Sequence, residues 1–166
     1  TPSHIRERFG VIDSFVDSPI ENEISGGFKA GETTDDTIVA FIAAKALINT
    51  HGEINPLDIV HSIEKWSLDN PKSKTIVGPS TRLAFDAIHA GVPVEEAGRQ
   101  GETNGAGTRV APVGAIVKSS DIETLCRKVQ NVCMATHNTS TALSGACAIA
   151  AAVAHGIEGG RLEDMV

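Results

Sequence analysis

The run STALSGACAIAAAVA, residues 140–154, decides the fold. Alanine fills seven of the thirteen positions 142–154. Alanine is the best helix former and carries almost no bulk, so neighbouring helices can approach closely. The run predicts a central, mostly buried helix, about Ser140 to Ala154, ended by Gly156. Upstream, Asp121 is a helix cap, with Ile122, Leu125, Val129, Val132 and Cys133 on one apolar stripe. Pro79-Ser80 opens another helix carrying Leu83, Ala84, Ala87 and Ile88, stopped by Gly91. Asn55-Pro56 places a cap residue before a proline at the first helical position. Its apolar face reads Leu57, Val60, Ile63 or Ile59, Ile63, Trp66, and Asn70-Pro71 breaks it. Thr33 to Asp36 heads a further helix with the apolar run Ile38 to Leu47. Residues 1–32 read as irregular, and a short acidic piece follows Pro93. Strand signals are confined to Thr75-Ile76-Val77 and Arg109 to Val117, and proline interrupts the second. The expectation is an all-α chain, one domain over residues 1–166, without repeats.

Composition narrows the partners. The 166 residues are 41% hydrophobic and 21% charged, which suits a folded globular chain. Fourteen Lys and Arg against 21 Asp and Glu leave a net charge of −7. Non-specific nucleic-acid binding and adhesion to anionic membranes both need a basic surface, so neither is expected. No stretch reaches about 18 consecutive apolar residues, and no signal-peptide pattern is present. Cys126, Cys133 and Cys147 are an odd number with no CxxC, which points to a reducing, cytoplasmic setting with buried thiols. The chain opens Thr1-Pro2 without an initiator methionine, so a processed, truncated or partial chain is expected.

Three constellations could carry chemistry. In Gly31-Glu32-Thr33-Thr34-Asp35-Asp36-Thr37, adjacent carboxylates and hydroxyls crowd one helix start. Hard divalent cations take such oxygens; the plainer alternative is that acidic first-turn residues complement the helix dipole. Around Thr103-Asn104-Gly105-Ala106-Gly107-Thr108-Arg109, glycines let backbone approach a ligand and free N–H groups can cradle phosphate. Arg109 either offers a charged fork to a pyrophosphate or buttresses the loop from behind. The loop matches neither GxGxxG nor GxxxxGK[ST], and an Asn-Gly turn is its simpler reading. Third, His137 sits at a junction between two apolar helices, either facing a ligand or satisfied near a helix end. Cys133 and His137 are four apart, half of a zinc pattern, but no second pair matches, so zinc is not expected.

Their order is more telling than any one of them. Thr34-Asp35-Asp36-Thr37 heading a helix, then Asn104-Gly105…Arg109…Pro112-Val113-Gly114, then Thr136-His137 before an Ala-rich helix, resembles the ADP-ribosylglycohydrolase family over residues 26–155. Thr1 to Gly10 is similar to the segment after the family's first helix. The resemblance implies an all-helical fold that hydrolyses the glycosidic bond between ADP-ribose and an acceptor, using two divalent ions, Mg²⁺ or Mn²⁺. It implies Thr34, Asp35 and Asp36 as metal-binding residues, with Asp35 and Asp36 in the catalytic centre. It implies Asn104, Gly105 and His137 as residues around bound ADP-ribose. The family's N-terminal helix and its C-terminal Asp-x-Asp-Thr motif are not in this sequence, so half of the metal cage is expected here. Thr108 stands where a methionine is common, and Gly101-Glu102-Thr103 departs from the family's usual run. The alternative is a non-catalytic relative of the same fold that binds ADP-ribose or serves a structural role.

Overall fold

Helix starts carry the architecture of this computed structural model, which describes residues 1–165. Asn55 caps the helix Pro56–Asp69 (α3), its side chain accepting the Leu57 N–H at 3.0 Å. Asp121 caps Ile122–Cys133 (α8) through the Thr124 N–H at 3.1 Å, and Thr139 caps Ser140–Ile157 (α9) through the Ala142 N–H at 3.2 Å. Each cap satisfies an N–H that a helix start otherwise leaves unpaired. The other helices are Pro2–Phe9 (α1), Asp35–Asn49 (α2), Ser73–Ile76 (α4), Pro79–His89 (α5), Val94–Ala97 (α6) and Ala111–Ile116 (α7). Two 3₁₀ turns cover Asn104–Arg109 and Leu162–Met165. Among the described residues there is no strand.

Several expectations need correction. Residues 1–32 are not wholly irregular: α1 begins at Pro2, with Thr1 as its cap and proline in its first turn. The Thr-Pro signal was present, but the segment has no apolar stripe, and no residue of α1 is buried. Thr75-Ile76-Val77 is not a strand; it overlaps α4. Arg109 to Val117 holds the end of a 3₁₀ turn and then α7, where Pro112 suits a helix start. Gly156 does not end α9, which runs on to Ile157. Nor is α9 mostly buried: Ala142, Ala146, Ala150 and Ala154 form one fully inward stripe, while Ile149 and Ile157 stay exposed. By length and composition alone, α9 is long and apolar enough to cross a membrane. Ile122 and Leu83 also face solvent.

The described residues fall into two compact units, Thr1–Thr34 and Asp35 onward. In the first, α1 leads into a loop held by polar contacts. Asp17 accepts from Lys29 Nζ and from the Ala30 N–H, both at 2.8 Å, and Arg8 pairs with Glu21 at 3.3 Å.

In the second unit, the alanine stripe of α9 lies against α7, α8 and the 3₁₀ turn Asn104–Arg109, and α2 packs on that same turn, on α3 and on α7. The core joins Val39, Ala43 and Leu47 of α2, Ile59 and Ile63 of α3, Val110, Val113, and Leu125, Val129 and Val132 of α8. Both readings of the α3 stripe share this face, since Ile59, Val60 and Ile63 are its buried residues. Lys128 is an unforeseen member of the α8 face. Its stem is buried and its ammonium reaches the Gly52 carbonyl and Glu53, 3.0 Å away.

Candidate functional site

Asp35 and Asp36 form the first turn of α2. Asp35 is half-buried and Asp36 exposed. Burial raises the Asp35 pKa, and the negative charge of Asp36 raises it further; backbone N–H groups and Arg109 act the other way. Neither carboxylate has an ion-pair partner among the described residues. An isolated acidic first turn would be content with the helix dipole. At Asp35, burial and the neighbouring carboxylate outweigh the backbone N–H groups and Arg109, and a bound cation would favour the charged form. Thr34 closes the first unit and is half-buried there.

The loop after α6 reaches the region of α2 through the turn Asn104–Arg109. Asn104 is exposed and Gly105 half-buried. Behind them, Arg109 is 2% exposed. Its Nε donates to the Gly105 carbonyl at 3.0 Å and its Nη1 donates to Thr136 Oγ1 at 3.0 Å. Burial lowers the pKa of this guanidinium; the Cys133 thiol and the carboxylates of Asp35 and Asp36 favour its charged form. Arg109 is therefore the buttress, not the fork: it grips the loop from inside while its charge faces the two aspartates.

His137 is also internal, at 1% exposure. Its Nδ1 lies 2.8 Å from Thr136 Oγ1, and its Nε2 lies 2.8 Å from Thr103 Oγ1. Burial and the nearby Arg109 charge lower its pKa to about 4, so the ring is neutral at pH 7. Burial likewise pushes the Cys133 thiol up to about 11. All three cysteines are free, but only Cys133 is fully buried.

The close approach permitted by the loop glycines is to the protein itself. A Cβ on Gly98 would sit 2.0 Å from the Met134 carbonyl oxygen, and one on Gly101 2.0 Å from that of Thr136. One on Gly105 would lie 3.0 Å from the His137 ring. Thr139 Oγ1 donates to the Gly101 carbonyl at 3.1 Å, and the Asn138 N–H donates to that of Gly98 at 2.7 Å. The loop is thus fastened along the α8–α9 junction, leaving Asn104 on its outer side.

The structure brings together Arg109, Gly105, Thr136 and His137 by direct contacts, and joins Asp35 and Asp36 to them through α2 packing and charge. Thr103 belongs to the loop the sequence marks, but the sequence assigns its side chain no role. A lone hydroxyl before Asn104 carries no periodic or spacing signal, and only its contact with His137 marks it.

The donor chemistry of Asp35 and Asp36 fits a hard divalent cation. The fit is partial: among the described residues no three His, Cys, Asp or Glu side chains gather as a metal site. Two larger cavities lie apart from this region. One, about 570 Å³, runs between α2 and α3 beside Trp66; the other, about 560 Å³, is lined by Leu47, Ile48 and Ile116.

The chain belongs to the ADP-ribosylglycohydrolase family, whose model matches residues 1–166. It is 36% identical over 158 residues to a protein of Escherichia coli strain K12 named "Uncharacterized protein YegU", covering 95% of this chain and 47% of that one. It is 30% identical over 151 residues to an "Uncharacterized protein" of Archaeoglobus fulgidus, covering 91% of this chain and 47% of that one. The chain thus spans about half the length of these curated relatives.

Proposed function

We propose that the protein hydrolyses the glycosidic bond joining ADP-ribose to an acceptor, in a reaction that depends on Mg²⁺ or Mn²⁺. The observation that carries this reading is the pair Asp35 and Asp36: adjacent carboxylates without a cationic partner, in the field of Arg109 and beside the turn that presents Asn104.

Asp35 and Asp36 would hold the cation, and Thr34 is added on sequence grounds. Two ions are expected, with further ligands from outside these residues. When bound, such a cation orients ribose hydroxyls and lowers the pKa of a bound water. The chain's own residues do the rest. Asn104 and the Gly105 backbone contact the ADP-ribose moiety, and Arg109 keeps that backbone in place through the Gly105 carbonyl. His137 shapes the contact surface from beneath, through Thr103. We place the protein in the cytoplasm, on its free thiols, and expect neither membrane attachment nor non-specific nucleic-acid binding, on its net charge of −7.

The second reading is a non-catalytic ADP-ribose-binding or structural relative. The observation in its favour is that no three-residue metal cluster forms among the described residues. A hydrolysis assay of the complete gene product separates the two. It would use a panel of substrates ADP-ribosylated on arginine, on serine, on a nucleic-acid base and as small esters, each with and without Mg²⁺ or Mn²⁺. Release of ADP-ribose that requires the cation is expected; no release from any substrate would favour the second reading.

A further inference from the structure

The contacts around His137 form one chain: Arg109, Thr136, His137, Thr103. Its direction follows from the donors available. A guanidinium only donates, so Arg109 Nη1–H occupies Thr136 Oγ1 as a donor at 3.0 Å. The Thr136 proton then has two acceptors in reach, His137 Nδ1 at 2.8 Å and the Cys133 carbonyl at 3.5 Å. The shorter contact is the stronger bond, so Thr136 donates to Nδ1. A neutral imidazole with Nδ1 accepting carries its proton on Nε2. That Nε2–H donates to Thr103 Oγ1 at 2.8 Å.

Thr103 thus receives a hydrogen bond from within and keeps its own proton to give. Its nearest hydroxyl neighbour, Ser80 Oγ, is 3.4 Å away, beyond a good O–H···O distance. Thr103 is exposed and immediately precedes Asn104. At the head of its 3₁₀ turn its side chain makes no capping bond. A hydroxyl polarised by a buried cation three residues away along the chain of bonds is a stronger donor than a free threonine.

We propose that Thr103 is a substrate-binding residue, its hydroxyl set as a donor by the chain from Arg109 and directed at an oxygen of the ADP-ribose moiety. This rests on the ADP-ribose reading above. Arg109, Thr136 and His137 are positioning residues in this arrangement; they set the direction of the bond without touching the ligand.

The test has two parts, both on the complete gene product. Long-range ¹H–¹⁵N NMR reads the His137 tautomer without any ligand or variant. Protonation at Nε2 is expected; protonation at Nδ1 would reverse the chain and overturn the proposal. Calorimetry with ADP-ribose then compares wild type, Thr103→Val and Thr103→Ser, with melting temperatures checked for each. Loss of one hydrogen bond should weaken the valine variant about tenfold, while serine stays within about twofold of wild type. If wild type and Thr103→Val bind equally, the role of Thr103 fails and the ADP-ribose reading stands. If wild type does not bind ADP-ribose, both fail, whatever the tautomer. If Thr103→Val does not fold, Thr103→Ala takes its place in the same comparison.

Discussion

The start of α2 and the α8–α9 junction handle polar groups in opposite ways. At the junction every polar side chain that matters is closed off: Arg109 on Gly105 and Thr136, His137 on Thr136 and Thr103, Thr139 on Gly101. At the start of α2, Asp35 and Asp36 make no ion pair among the described residues, and Arg109 acts on them only through its field. Groups that hold a fold together are paired within it, because an unpaired buried polar group costs about 1–3 kcal/mol. A half-buried carboxylate pushed up by burial and by its neighbour, as Asp35 is, points to a partner from outside. The difference separates scaffold from candidate site within one unit of the chain.

The sharpest way to break that division is Asp36→Ala in the complete protein. Turnover should fall by two or more orders of magnitude, about 3 kcal/mol in the barrier. Stability should change by less than about 1 kcal/mol, and removal of repulsion on Asp35 favours the metal-free fold. A large drop in melting temperature with a proportionate loss of activity would make Asp36 a helix-start residue and nothing more.

The junction makes the complementary prediction through pH. The His137 pKa is lowered to about 4 from an ordinary 6.5, so the unfolded chain binds more protons between those values. Its contribution to stability is fully present above pH 6.5 and is lost as pH falls toward 4, by about 3 kcal/mol across the window. Denaturation curves at several pH values should show this slope, and a folded His137→Gln variant should show a flatter one. An unchanged slope in that variant would mean His137 is not the titrating group.

Glycines sharpen the contrast at smaller scale. Gly101→Ala drives a methyl against the Thr136 carbonyl and should cost about 2 kcal/mol, read as a lowered melting temperature. Gly145, inside α9, has nothing within 4 Å of its missing Cβ. Gly145→Ala should stabilise by about 0.5–1 kcal/mol. Equal effects at the two sites would show that the loop yields and is not fastened as described.

Much of this fold was legible in the sequence because it is written in local signals. Asn55, Asp121 and Thr139 cap the helices their neighbours predict. The errors fell where local and tertiary signals part. Thr75-Ile76-Val77 is β-branched, yet it lies in a short helical turn between two prolines, at positions too few for a period to show. The mostly buried reading of α9 failed because alanine content measures how close helices can come, not how many come. For the site, the aspartate pair was legible from its crowding of one helix start. The sequence left Arg109 open between fork and buttress and gave no sign of the inward role of Lys128, since a buried cation differs from an exposed one only by partners distant in sequence. Thr136 and Thr103 acquire meaning only once residues 34 apart meet at His137.

If Asp35 and Asp36 are cation ligands, the protein binds Mn²⁺ through them. Electron paramagnetic resonance of free Mn²⁺, titrated with the complete gene product, should show binding that Asp35→Asn/Asp36→Asn weakens at least tenfold while the melting temperature of the metal-free protein stays within a few degrees. Mn²⁺ affinity equal in wild type and double variant would contradict the account.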